Sequence, residues 1–498
     1  MDEILKEARA EQVSRAFARS VRNNTLAEFG AQGIRMSGLV VLARALTPSD
    51  FGSLKALVAI TAIVRMSLES GIPDALIQRK HITHEHECTA WWLSCGVALV
   101  GIGAMFAAAD LLARWMHMPE LKDGLRLLCL PLLINSASTV SGAQLQRQLR
   151  FDALAWADVL AEAAFLSVAL ALVLYNQPRW SLVGGLAARF AAQGLTIWIF
   201  AGIPLGMPRM RAARDLAGFA FSVWGGRVIQ AASETSDYLL IGRILGGGPL
   251  GLYGMARDLL RFIPDRLHRV AGRVTYAAFC QLQDDDEELA RSYTNFFGSI
   301  ARIIWPIMVC MAVTAPDLVS TAYGHQWIAA ALPLRLLTAG MIAAGLTVAI
   351  SSIYFAKGYP SLDIHLNGLR LILMVVAVVA SRRTGLLGVV AAVSGVELVS
   401  ALAAQYVCCR FTGLVARDLI AATMPGVRLA IACGLVAAAG EIAAHCWGIA
   451  GPLSLLIAGT PAAIVYLHYE GSSLIAMAGQ AFGTRATAEP VRPVAGES

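Results

Sequence analysis

Charge is scarce in this chain: Asp, Glu, Lys and Arg make up 15% of its 498 residues, against 57% hydrophobic. With a mean hydropathy of +0.61, the composition excludes an ordinary soluble globular domain. The signatures of several chemistries are missing as well. The nine cysteines form no CxxC pair, and most sit inside apolar stretches, as Cys95, Cys129, Cys310 and Cys446 do; small apolar packing is their expected role, not metal or disulfide chemistry. The Gly-rich run "ILGGGPLG", residues 244–251, lacks the Lys and Ser or Thr with which a P-loop holds a nucleotide. GxSxG and HExxH are absent, so no hydrolase is signalled. Residues 1–22 contain no apolar core run, so no cleavable signal peptide is expected there. No cofactor is expected.

What the chain does have is apolar blocks. About 20 apolar residues span the hydrocarbon core as a helix, and fourteen such stretches follow one another near residues 24–43, 51–71, 89–112, 124–145, 153–175, 180–203, 217–241, 250–271, 292–314, 329–352, 362–380, 384–407, 426–446 and 449–468. The fold expected is an all-α integral membrane protein. Basic residues near span ends stay on the cytoplasmic side. They gather at the N-terminus and at alternate joins: Arg15, Arg19 and Arg22; Arg79 and Lys80; Arg147 and Arg150; Arg209, Arg211 and Arg214; Arg261, Arg266, Arg269 and Arg273. Both termini are therefore expected on the cytoplasmic side. The net charge of +6 then suits loops facing anionic lipid and needs no nucleic acid.

The ends of the chain read differently. Val13, Phe17 and Val21 recur every four residues while arginines fall elsewhere, so residues 1–22 are expected to form an amphipathic helix on the inner membrane surface. Residues 471–498 are expected to form a cytoplasmic tail, with the polar, Pro-containing 482–498 disordered.

One join is written twice. "RALTPSDFG", residues 44–52, and "RILGGGPLG", residues 243–251, superpose at an offset of 199, with Arg, Leu and Gly in register. The offset also aligns the apolar stretches before and after, and six spans separate the copies, so both keep one orientation. Two pseudo-symmetric six-helix bundles, 23–205 and 206–412, are expected around a central cavity, with two additional helices in 413–470.

The first helix of each copy carries charge. Glu28 and Arg35 lie seven apart on one helical face, with Gln32 between them. At the same offset Arg227 and Glu234 hold the equivalent positions with the signs exchanged, and Tyr238 stands a further turn along. A charge in the bilayer costs roughly 2.5–3.5 kcal/mol on insertion scales, so such groups face a cavity or a partner. Arg65 in the second span, Asp158 and Glu162 in the fifth, Arg189 in the sixth, Asp237 in the seventh, Arg302 in the ninth, Arg370 in the eleventh and Glu397 in the twelfth join them as buried polar groups. Each could be a helix-to-helix ion pair or a cavity residue. As a set they suit an anionic substrate, since guanidinium grips phosphate or diphosphate in bidentate fashion.

Two clusters have plainer readings. "HITHEHEC", residues 81–88, offers imidazoles and a thiol, but its place in a cytoplasmic join favours a polar connector over a metal site. "DDDEE", residues 284–288, reads as a solvated helix face pairing with its own arginines.

Several stretches carry a resemblance: "SDFGSLKAL", "SGIPDALIQRKHITHEHECTAWWLS", "QLQRQLRFDALAWADVLAE", "SDYLLIGRILGGGPLGLYGMARDLL" and "QLQDDDEELARSYTN". Together they resemble the polysaccharide-exporting branch of the multidrug/oligosaccharidyl-lipid/polysaccharide (MOP) superfamily, and are similar to the bacterial Wzx-type proteins. The resemblance implies a non-enzymatic flippase that moves polyprenyl-diphosphate-linked sugar repeat units across the inner membrane by alternating access, with polysaccharide polymerase and export machinery as expected partners. Arg35, Arg65, Arg189, Arg227 and Arg302 would hold the diphosphate, and Glu28, Asp158, Glu162, Glu234 and Asp237 would be available for ion coupling. The alternatives are a cation-coupled drug or metabolite antiporter, whose cavity should be rich in carboxylates and aromatics, and a membrane polysaccharide polymerase or ligase, which needs a large periplasmic loop.

Overall fold

The computed structural model describes residues 30, 33–35, 37, 38, 40–68, 71–79 and 82–481. Among them 11 helices are long and apolar enough to cross a membrane. In chain order the helices are α1 (ending at residue 45), α2 (Pro48–Leu68), α3 (Ile72–Gln78), α4 (His84–Met116), α5 (Glu120–Ala137), α6 (Thr139–Arg147), α7 (Phe151–Leu174) and α8 (Pro178–Ala201). They continue as α9 (Met210–Leu245), α10 (Gly247–Gln281), α11 (Asp286–Val313), α12 (Ala315–Tyr323), a 3-10 turn (His325–Ala330), α13 (Ala331–Gly345), α14 (Ile350–Ala356), α15 (Pro360–Ala380), α16 (Gly385–Thr412), α17 (Ala416–Cys446) and α18 (Pro452–Ala481). The 11 spans coincide in order with eleven of the fourteen apolar stretches of the sequence, and the stretches near 217–241 and 250–271 fall on the longer, more charged α9 and α10. The expected surface helix at 1–22 and the tail at 482–498 lie outside the described residues. The last helix, α18, runs on to Ala481.

Helix starts follow local chemistry. Thr83 and His86 form a capping box at the head of α4. Within the acidic run, Asp285 caps α11 by accepting from the amides of Glu287 and Glu288 at 3.1 and 3.0 Å. Glu287 reaches Arg291 one turn on, at 3.4 Å, the pairing expected of that run.

The two halves repeat their packing. In the first, α4 packs on α5, α5 on α8, and α7 on α8; in the second, α11 packs on α13, α13 on α16, and α15 on α16. The pair α17 and α18 is an addition seated on α11. The architecture is thus two pseudo-symmetric six-helix bundles around a central cavity plus two C-terminal helices. Lipid supplies no hydrophobic drive between helices, so small residues set the close approaches. On the α11–α17 contact, a Cβ at Gly298 would lie 2.7 Å from the Ala422 carbonyl oxygen, and one at Gly426 2.9 Å from the Ala301 carbonyl carbon.

The halves meet at the repeated join. At the offset of 199, Pro48 and Gly52 map onto Gly247 and Gly251. A Cβ at Gly52 would collide with the carbonyl of Gly247, and one at Gly251 would collide with the carbonyl of Pro48. Residue 52 meets the image of 48, and 48 meets the image of 52. That reciprocity is what a two-fold axis produces. The two join arginines behave alike: Arg44 donates to the carbonyl of Thr321 at 2.7 Å, in the corner between α11 and α13, and Arg243 lies 2.8 Å from Nδ1 of His117, in the corner between α4 and α5. Gln326 and Trp327 close the same end by donating to the carbonyl of Ala43 at 2.7 and 2.8 Å, with Trp327 fully buried and edge-on to Phe51.

Candidate functional site

The helices frame three polar chambers, one at the seam of the two halves, one mainly in the first half and one in the second. The middle one, of about 310 Å³, lies against α1, α2, α7, α8, α9 and α10, and its walls carry Arg35, Lys55, Glu162, Arg189, Tyr238, Asp258, Arg261 and Asp265. A second, of about 540 Å³, is lined by Arg65, Asp74, Asn135, Asp158, Gln193 and Arg227. A third, of about 570 Å³, holds Gln230, Glu234, Asp363, Asn367, Arg370 and Glu397, and shares Arg261 and Asp265 with the middle chamber.

At the middle chamber a single carboxylate lies beneath two guanidiniums. Glu162 is buried; its Oε1 accepts from Nε of Arg35 at 3.0 Å and lies 3.0 Å from Nη2 of Arg189. Both arginines stay partly exposed toward the chamber, at 41% and 32%, so the trio presents one uncompensated positive charge there. Across the seam Lys55 of α2 pairs with Asp258 of α10, and Tyr238 donates to the same carboxylate at 3.3 Å. The stem of Lys55 lies over Gly254, where a Cβ would stand 2.8 Å from its Cγ.

In the second chamber Nη2 of Arg227 of α9 donates to Oδ1 of Asp74 of α3 at 3.0 Å and lies 2.8 Å from Oδ2, an ion pair that joins the halves. Asn135 donates to Gln193 at 2.9 Å and Gln193 to Asp158 at 2.8 Å, an amide chain ending on a carboxylate. In the third, Arg370 holds both oxygens of Glu397 at 3.1 and 2.6 Å, and Gln230 donates to Glu234 at 3.1 Å.

The sequence-derived candidates therefore divide. Arg35, Arg65, Asp158, Glu162, Arg189, Arg227, Glu234 and Tyr238 line chambers. Glu28 and Gln32 lie outside the described residues. Two of the candidates line none of the three chambers. Asp237 is fully buried, held by Arg257 and the hydroxyl of Tyr253, where it balances a buried guanidinium and faces no chamber. Arg302 lies 3.4 Å from Glu470 and joins α11 to α18, on the side that packs away from the seam. Arg35 pairs with Glu162, and Arg227 with Asp74.

Sequence reasoning missed Lys55, Asp74, Asp258 and Asp265, and counted Arg261 among the basic residues of an inner join. Lys55 had a signal, being a lysine seven residues into an apolar helix whose repeat image is Gly254. Charge is also more mixed than the arginine content suggested. Across the three chambers the described lining holds seven cations and eight carboxylates. The middle chamber has four cations to three carboxylates, and the third has two to four. Cationic character thus concentrates at the seam, and acidic character in the second half. Of the "HITHEHEC" histidines, His86 lies 2.7 Å from the hydroxyl of Thr83 and 3.7 Å from Asp215, as a connector would.

Comparison with known proteins agrees with this architecture. The model of a family described as polysaccharide biosynthesis protein matches residues 41–332. The chain is 23% identical over 380 residues to the lipopolysaccharide biosynthesis protein WzxC of Escherichia coli K12, covering 75% of this chain and 77% of that one. It is 22% identical over 335 residues to the teichuronic acid biosynthesis protein TuaB of Bacillus subtilis, covering 66% and 69%. Among solved structures it is similar in fold to the lipid II flippase MurJ in an inward closed conformation, with a TM-score of 0.72 at 12% identity over 91% of this chain and 99% of that one. It is also similar to an inward-facing multidrug resistance MATE transporter of the MOP superfamily, with a TM-score of 0.66 at 13% identity over 76% and 94%.

Proposed function

The chain belongs to the polysaccharide biosynthesis protein family, and from that premise we propose that it is a flippase of the MOP superfamily, carrying lipid-linked oligosaccharide across the membrane by alternating access. It is a multi-pass membrane protein. The substrate proposed is a polyprenyl-diphosphate-linked repeat unit, taken from the cytoplasmic to the periplasmic face of the inner membrane for an exopolysaccharide, capsule or O-antigen. Both termini lie in the cytoplasm in this reading, which places the joined repeat at the periplasmic end. Polysaccharide polymerase and export machinery would receive the product.

The observation that carries the proposal is the guanidinium pair of Arg35 and Arg189 at the seam of the two halves, backed by one buried carboxylate and turned toward the chamber. A diphosphate entering the chamber meets the uncompensated positive charge of these two guanidiniums, while the buried Glu162 stays beneath them and holds them in place. Arg65 and Arg227 extend the cationic wall toward the first half. Carboxylates in the third chamber suit hydrogen bonding to sugar hydroxyls or the binding of a coupling cation. The lipid tail stays in the bilayer while the bundles rock about the fixed site. Arg302 and Asp237 have no part in binding here.

The test is genetic and biochemical. In a strain lacking the chain, complete lipid-linked repeat units should accumulate on the cytoplasmic face while surface polymer disappears, and the wild-type chain should restore export. Arg35→Ala with Arg189→Ala should fail to restore it at normal protein level. Full export by that double variant would sink the assignment of the site. Repeat units stranded on the periplasmic face would point to a polymerase instead. The antiporter reading predicts unchanged lipid-linked pools.

A further inference from the structure

At the end of the molecule where the repeated joins meet, α12 and the last turn of α17 bring together three side chains that the transport site does not use. Asp317 stands in the first turn of α12, behind Pro316. Glu441 and His445 lie one turn apart on α17 and so share one face. One donor atom from each of the three lies within 4.8 Å of the others. Nε2 of His445 is 3.5 Å from Oδ2 of Asp317 and 4.0 Å from Oε1 of Glu441.

We propose that Asp317, Glu441 and His445 form a binding site for a divalent transition-metal ion, zinc by preference, that ties the additional helix pair to the second bundle. The Asp317 side chain is more than nine-tenths buried, and its Oδ2 points at the imidazole with no hydrogen-bond donor. A buried carboxylate oxygen left without a donor is costly, and a cation in the cluster removes that cost. Arg335, which lines the same recess, is turned to the carbonyls of Ala312 and Val313 at 2.9 and 3.0 Å. The carboxylates are thus left to the imidazole or to a metal.

The donor set selects the ion. Two carboxylates and a neutral imidazole suit zinc and its first-row neighbours, whereas calcium and magnesium prefer oxygen alone. Tetrahedral ligands about 2.1 Å from zinc sit about 3.4 Å apart, so the imidazole separations of 3.5 and 4.0 Å contract by about 0.1 and 0.6 Å, and the two carboxylates, within 4.8 Å of each other, close by at most about 1.4 Å. Three protein ligands leave the fourth position to water. His445 is half exposed, which gives the ion a path from solvent. Thr321, one turn beyond Asp317 on α12, takes the Arg44 hydrogen bond, so the metal stiffens the short helix that the first bundle grips.

Metal binding is measured on the full-length protein in detergent, stripped with EDTA and then titrated with zinc against a chromophoric chelator. The wild type should retain zinc after dialysis. Asp317→Asn and His445→Gln should each hold one zinc fewer per chain or bind it more than about 100-fold more weakly, since even an outer partner of a ligand is worth 10–100-fold. Cys446→Ser should change nothing. Cobalt loaded into the wild type should give visible d–d bands without a sulfur-to-cobalt band in the near ultraviolet, a readout that needs no variant to fold. No zinc retained by the wild type, zinc binding unchanged in Asp317→Asn, or a cobalt spectrum showing thiolate would each overturn the proposal. All of these readouts are independent of transport, so they stand or fall separately from the flippase assignment.

Discussion

Gly251→Ala adds one methyl group at the seam and asks whether the reciprocal glycine contact holds one end of the molecule shut. The new Cβ would collide with the Pro48 carbonyl, standing 2.8 Å from its carbon, and would lie 3.1 Å from the amide nitrogen of Gly52. Carbon atoms settle at about 3.5–4.0 Å, so the starts of α2 and α10 must part by about 1 Å. Overpacking of this kind costs about 1–3 kcal/mol. The penalty falls only on the arrangement in which the joins touch, so it shifts the closed-to-open ratio by roughly 5–150-fold. Gly52→Ala, at the image position, should do the same by meeting the Gly247 carbonyl. The double variant should cost less than the sum, because the first methyl already parts the helices for the second. Closure is read by disulfide formation between Ser49→Cys and Gly247→Cys in a background with the nine native cysteines replaced; the Ser49 hydroxyl lies 3.3 Å from where a Cβ at 247 would sit, within reach of a cross-link. The rate of cross-linking should fall by the same factor as the closed population. An unchanged rate in Gly251→Ala at equal protein level would refute the reasoning.

The remaining predictions concern charge. Glu162→Gln leaves Arg35 and Arg189 facing one another without the buried carboxylate, and should destabilise the protein by about 1–3 kcal/mol, less than a fully buried pair would lose because both guanidiniums touch chamber water; a thermal melt in detergent checks it, and an unchanged midpoint would contradict the geometry. Arg189→Ala and Arg302→Ala remove the same side chain from two places. The first should abolish export at normal protein level, whereas the second should leave export intact and cost about 1–3 kcal/mol by leaving the largely buried Glu470 without its partner, so equal export defects in both would show that the separation of these two arginines is wrong.

Much of the fold is legible because an apolar block is a local property, readable without knowing its neighbours. The repeat is legible for a similar reason, since Arg44, Leu46 and Gly52 keep their spacing in the second copy. Partners are another matter. Helical spacing places Arg35 and Arg227 each on a definite face, but Glu162 lies 127 positions from Arg35, and Asp74 lies 153 from Arg227, and nothing local links either pair. Arg302 was readable in part. Gly298, one turn earlier on the same face, marks a close helix contact, so that face was committed to packing on α17. Asp237 offered no such sign, because Arg257, which neutralises it, is reached only through the turn between α9 and α10. Asp258 and Asp265 share the apolar stretch at 250–271 with the arginines that drew attention to that join, and only the crossing of α10 over α2 turns them toward the chamber.

That crossing links the chamber to the seal. On α2, Gly52 and Lys55 are three apart; on α10, Gly251, Gly254 and Asp258 fall at spacings of three and four, so each set shares a face. The seam is therefore two layers of one contact, glycine against backbone at the outer layer and Lys55 against Asp258 one turn further in. Lys55 also lines the chamber with Arg35 and Arg189. An anion bound there competes with Asp258 for Lys55, and each step of that competition loosens the tie between α2 and α10 just below the glycines. Lys55→Met keeps the stem over Gly254 and removes the charge. It should lower the Ser49–Gly247 cross-linking rate in the absence of substrate, because Asp258 loses its partner across the seam. It should also abolish any response of that rate to added pyrophosphate, which the parent should show. If pyrophosphate still slows cross-linking in Lys55→Met as it does in the parent, the chamber and the seal are coupled through some other helix, and the role given to Lys55 is wrong.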